Sequence, residues 1–192
     1  MRYFNTVSAI AILFLGLESQ QALSEDEFKM VPPPACTNNL GEQVEFMTSA
    51  RGRSGIAAGM AVRNQEGKPV VYRSNFKSAP PEYQSFIDRH ECAHHQTGDV
   101  DRPHPPRNGP EHLMNESVSD CIAILRLRDE EKYSAADLEK VTIAMRKEME
   151  KIGFPEISVS SRISNTEGCL RKFKNSKELI DRILDERGLG KK

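Results

Sequence analysis

The stretch His90-Glu91-Cys92-Ala93-His94 holds the side chains in this sequence best suited to chemistry. On a helix turning about 100° per residue, the two histidines stand about 40° apart on one face, and Glu91 lies about 60° from His94. Both imidazoles can then reach one metal ion while the carboxylate flanks them. The set suits a hydrolytic zinc site. Two neutral imidazoles hold the ion, an open coordination position takes a water of lowered pKa, and a neighbouring carboxylate takes its proton. A second stretch, Asn115-Glu116-Ser117-Val118-Ser119-Asp120, supplies the remaining parts. Glu116 and Asp120 are four apart and share a helical face, so Glu116 can complete a His-His-Glu ligand set. Asp120 can accept the second N–H of a ligand histidine and fix its tautomer.

These two motifs together resemble those of the gluzincin metallopeptidases of the thermolysin type, which pair H-E-x-x-H with N-E-x-x-S-D on a facing helix. Every specified letter of both is present between His90 and Asp120. The resemblance implies zinc ligands at His90, His94 and Glu116, a general base at Glu91, a supporting role for Asp120, and a zincin-like fold. It covers only that part of the chain, and no motif here places the separate histidine and tyrosine with which thermolysin-like enzymes stabilise the tetrahedral intermediate. By analogy with zincins, the strand before the first motif helix, Pro69 to Asn75, would form the cleft edge and pair with an extended substrate; the plainer reading is an ordinary edge strand.

Other polar residues have weaker standing. His104, in the loop joining the two motif helices, and His112, one helical turn before Glu116, are possible transition-state stabilisers, with His112 also a substitute ligand. His95 projects about 100° from His94 and reads as a surface or supporting residue. Tyr72 and Tyr83 have a standing similar to that of His104 as donors, and packing is the commoner role for each.

The elements that must position the motifs follow from periodicity. Gly55 to Phe76 reads as two short strands joined by a turn at Asn64 to Lys68. A first helix begins at about Pro81 and ends at Gly98, a proline-rich loop runs from Asp99 to Pro110, and a second helix spans about Glu111 to Arg128. Ser134 opens a third helix with Asp137 as its capping-box partner and with Leu138, Val141, Met145, Met149 and Ile152 as its apolar stripe. A Ser/Asn/Gly-rich connection containing Cys169 then leads to an amphipathic segment from Ser176 to Leu189. The expected class is α+β, a small β-sheet followed by a mostly helical region with two facing motif helices.

Residues 1–24 read as a secretory signal peptide, with an apolar stretch from Val7 to Leu17 and a small-x-small cleavage site at Ala22-Leu23-Ser24. The apolar run is short for a membrane span, which needs roughly 20 residues, so no stable membrane insertion is expected after cleavage. Residues 25–40 read as an extended lead-in without a core contribution, and 41–192 as a single domain. The expected location is secreted or periplasmic.

In such an oxidising compartment, Cys36, Cys92, Cys121 and Cys169 read as two disulfides. Cys92 and Cys121 project away from the metal face of their helices. Three pairings are possible; the favoured one joins Cys36 to Cys92 and Cys121 to Cys169, each tying a flanking segment to the back of a motif helix.

With 27 Lys and Arg against 28 Asp and Glu in 192 residues, the chain has no field that would steer it to nucleic acid. From the two motifs and the resemblance they carry, the expected activity is that of an exported zinc-dependent metallopeptidase acting on a peptide or protein substrate. Two alternatives remain at this level. One is a zinc-stabilised binding module without turnover, or a latent peptidase. The other is a disulfide-stapled exported structural protein without metal.

Overall fold

The structure, a computed structural model, describes residues 27–49 and 55–190. The signal-peptide reading lies outside the described residues. The architecture is α+β. Among the described residues three strands, β1 (Glu45–Ser49), β2 (Ala58–Arg63) and β3 (Pro69–Ser74), precede five α-helices, α1 (Pro81–Gln96), α2 (Pro110–Asp129), α3 (Ala135–Ile152), α4 (Glu156–Lys172) and α5 (Ser176–Glu186).

The strand order is β1-β3-β2, with β3 parallel to β1 and antiparallel to β2. β3 is thus the central strand, and it cannot add a substrate strand as the zincin analogy proposed. The cause is that both of its edges are already hydrogen-bonded, to β1 and to β2; Val70 and Val71, both fully enclosed, show that its two faces are covered as well. β2 follows the Asn64–Lys68 turn and occupies the sheet edge. In that turn Asn64 Oδ1 accepts from the Glu66 and Lys68 amides, and Gly67 takes the φ of 78° that closes it. β1 was not anticipated, because its exposed Glu45, Thr48 and Met47 give no apolar alternation.

α2 runs through the centre of the helical layer. Ile122, Ala123, Ile124, Leu125 and Leu127 are fully buried, so this half of the helix is covered all round, while α1, α3, α4 and α5 each pack against it. Each of these isoleucine and leucine side chains contributes about 1.5–3 kcal/mol by leaving water. α3 starts at the expected capping box: the Ser134 side chain accepts from the Asp137 amide, and Asp137 accepts from the Ser134 amide. Its stripe buries Leu138, Val141, Met145 and Met149, but Ile152 is exposed where the helix ends at Gly153.

The connection containing Cys169 is a helix, α4. Its buried stripe is Val159, Thr166 and Cys169, with Ile163 half-buried, and Thr166 satisfies its hydroxyl on the Arg162 carbonyl at 2.8 Å. A polar residue in the middle of the stripe hides the helical period.

The lead-in also differs from expectation. It is extended but held: the Phe28 amide donates to the Lys77 carbonyl, the Val31 amide to Gln84 Oε1, and Arg126 to the Ala35 carbonyl. Cys36 is buried and disulfide-bonded to Cys92 on α1, and Cys121 on α2 is bonded to Cys169 on α4. Each bridge therefore ties a flanking segment to a helix that carries a candidate ligand.

Candidate metal centre

α1 and α2 pack face to face, and three of the predicted side chains meet between them. Pro81 opens α1 at its first turn, and from there the uninterrupted helix carries His90 and His94 on the face toward α2. Their Nε2 atoms stand 3.1 Å apart. Glu116, from α2, closes a triangle: its Oε2 is 3.5 Å from His90 Nε2 and its Oε1 is 3.4 Å from His94 Nε2. Donor atoms held at about 2.0–2.2 Å on one tetrahedral ion are separated by roughly 3.3–3.6 Å; the two carboxylate distances match and the imidazole nitrogens stand slightly closer, a spacing suited to a single small cation.

The hydrogen bonds behind the triangle strengthen that fit. His90 Nδ1 donates to Asp120 Oδ1 at 2.9 Å, and His94 Nδ1 donates to Asp99 Oδ2 at 3.0 Å, with Ser119 Oγ at 3.2 Å from the same nitrogen. Both Nδ1 protons are thereby committed to carboxylates, and both Nε2 lone pairs converge on one point. Two converging lone pairs repel unless a proton or a cation lies between them. The local charge favours a cation: burial works against a charged His90, but Asp120 and Glu116 overcome it and push its pKa up to about 10. Burial likewise opposes charge on His94, and Asp99 and Glu116 raise it to about 9. Glu116, despite burial, is held far below the usual carboxylate range by the two imidazoles. The group His90, His94 and Glu116 can therefore hold a metal ion.

Glu91 borders the same cleft of about 1060 Å³. The Ala61 amide of β2 donates to Glu91 Oε2 at 2.8 Å. Gly59 passes so close that a Cβ there would lie 2.3 Å from Glu91 Cγ, so only glycine admits the carboxylate at this point. The edge strand thus pins Glu91 beside the triangle.

Among the other predicted residues, His104 is exposed and His112 half-buried; both line the cleft, and His112 Nδ1 is buried without a hydrogen-bond partner among the described residues. His95 is not at the surface: it is 1% exposed and donates from Nε2 to the Val70 carbonyl, fastening α1 to β3. Tyr83 is buried and stacks on Phe86, and Tyr72 is half-buried on β3.

Three contributors escaped sequence reasoning. Asp99 follows the left-handed Gly98 that ends α1, and its place five residues after His94 was the available signal. Arg162 sits on the unrecognised α4; its guanidinium donates twice to Asp120, at 2.7 and 2.6 Å, and approaches Glu116 Oε2 at 3.7 Å. The Gly59–Ala61 segment required knowing which strand lies at the edge. Comparison of the chain with family models, curated proteins and solved structures gives no match.

Proposed function

We propose that this chain is an exported zinc-dependent peptidase of gluzincin type on a minimal zincin-like fold. The observation that carries the reading is the convergence of His90, His94 and Glu116 within hydrogen-bond range of one another, with Glu91 fixed beside them. A zinc ion held there would supply Lewis acidity, polarising a peptide carbonyl and making an attacking water acidic. Glu91, with Oε2 occupied by the Ala61 amide, uses Oε1 to take the proton of that water and returns it to the departing amine. Asp120 and Asp99 keep the ligand imidazoles in the tautomer that leaves Nε2 free.

The cleft supports a polypeptide as substrate. β2 forms one wall as an edge strand, with its Ala61 amide taken by Glu91 and the rest of its outer edge left for an extended chain, and Met60, Leu113, Phe154 and Ile157 expose apolar side chains around the triangle. Arg162 presents a fixed positive group to the same space. Export is supported by two disulfides of the kind that persist in oxidising compartments; among the described residues no helix is long and apolar enough to cross a membrane.

The test is a peptide-library digest comparing wild type with Glu91→Gln at equal zinc content. The reading expects cleavage by wild type and a loss of about 10²–10⁴-fold in the variant. Zinc retained by both proteins with no cleavage by either would leave a binding module in place of an enzyme.

A further inference from the structure

We infer that Arg187, at the end of the last helix, is a positioning residue of the metal centre that acts through Asp99 on His94. The inference rests on the metal reading of His90, His94 and Glu116 and adds to it a residue remote in sequence. Arg187 Nη1 makes a 2.6 Å ion pair with Asp99 Oδ1, while the other carboxylate oxygen, Oδ2, lies 3.0 Å from His94 Nδ1. One carboxylate therefore joins a guanidinium to a ligand imidazole.

The same guanidinium donates to the Thr97 carbonyl at 2.5 Å and, through Nη2, to Asn115 Oδ1 at 2.8 Å. Thr97 caps α1 three residues after His94, and Asn115 immediately precedes Glu116 on α2. A single side chain thus spans the two helices that supply all three ligands. The contact is enclosed: the side chains of Arg187 and Asp99 are 11% and 8% exposed. The directed hydrogen bonds of the planar guanidinium go to Thr97 and Asn115, and they fix where its charge stands against Asp99 Oδ1, a contact that is an ion pair without hydrogen-bond geometry; a point charge on a flexible stem would not be held in this way.

The surrounding chain is shaped for this contact. Gly188 turns left-handed at φ 69°, and Leu189 folds back so that its amide reaches the Leu184 carbonyl and its side chain covers Gly98. A Cβ at Gly98 would meet Leu189 Cδ1 at 2.7 Å. The turn that carries Asp99 is seated on this end of α5. Thr97 Oγ1 also donates to Asp99 Oδ2, so the carboxylate is held from both sides.

The experiment measures zinc affinity of the full, disulfide-bonded chain by competition with a chromophoric chelator, together with the visible spectrum of the cobalt-substituted protein. Arg187→Met is expected to weaken zinc binding about tenfold, the lower end of the range for residues that orient ligands, and to change the cobalt spectrum. Arg187→Lys, which keeps the charge and the fold, should fall between wild type and Arg187→Met, and it carries the test if the methionine variant does not fold. In an Asp99→Asn background, Arg187→Met should add no further loss. A lowered melting temperature with zinc affinity and cobalt spectrum unchanged in both Arg187 variants would overturn the inference and leave Arg187 as a fold clamp. Wild type that binds no zinc would overturn the metal reading as well.

Discussion

His90 and Asp120 meet through Nδ1 and Oδ1 at 2.9 Å, in a buried contact that turns the Nε2 of His90 toward His94 and Glu116. Asp120 also takes two hydrogen bonds from Arg162, so its charge is balanced on both sides. Asp120→Asn keeps the shape but loses that charge. It should lower zinc affinity about 10–100-fold, read by chelator competition; an unchanged affinity would mean that the imidazole is oriented by something else.

Gly59 and Glu91 make a steric relationship, and under the proposed peptidase reading it separates catalysis from metal binding. Gly59→Ala places a methyl group 2.3 Å from the present position of Glu91 Cγ, so the carboxylate must move. Turnover should fall on the order of 100-fold, as expected when a catalytic group is displaced by about 1 Å. Zinc content should stay at the wild-type level, since the three atoms nearest that methyl group all belong to Glu91.

The capping box of α3 predicts a pH dependence. Asp137 is lowered to about 2 by the Ser134 hydroxyl, then by Lys140 and the Ser134 amide. Because the folded value lies below the unfolded one near 4, the stabilisation is present above about pH 4 and is lost as pH falls through about 2. Asp137→Asn should therefore be less stable than wild type at pH 6, and the two denaturation midpoints should converge toward pH 2.

The Cys121–Cys169 bridge closes a separation of 48 residues and ties α4, with Arg162, to α2. Replacing both cysteines by serine should cost about 2–5 kcal/mol, through the freed unfolded chain. Urea denaturation reads the stability. Chelator competition on the same variant should show weaker zinc binding, because Arg162 loses its firm placement against Asp120.

How much of this could be read from the chain depended on whether the information was local. His90 and His94 lie one helical turn apart, as do Glu116 and Asp120, and an uninterrupted helix alone puts each pair on one face. The capping box at Ser134 and the left-handed stop at Gly98 were readable for the same reason. Arg162 was hidden because Thr166 interrupts the apolar stripe of α4, so the helix that brings Arg162 to Asp120 had no visible period. The place of β3 in the sheet was hidden because β1 pairs with it in parallel across a long connection, and an alternating pattern says nothing about such a partner. Arg187 reaches Asp99 across 88 residues of sequence, through tertiary packing alone.

The most direct test of the central claim is the zinc content of purified protein by mass spectrometry, for wild type and for His94→Gln and Glu116→Gln. Wild type should retain a single zinc ion per chain through dialysis, and each variant should lose it while keeping both disulfides and its helical signal. Metal-free wild type, or variants that hold zinc as firmly as wild type, would contradict the assignment of His90, His94 and Glu116 as a metal centre.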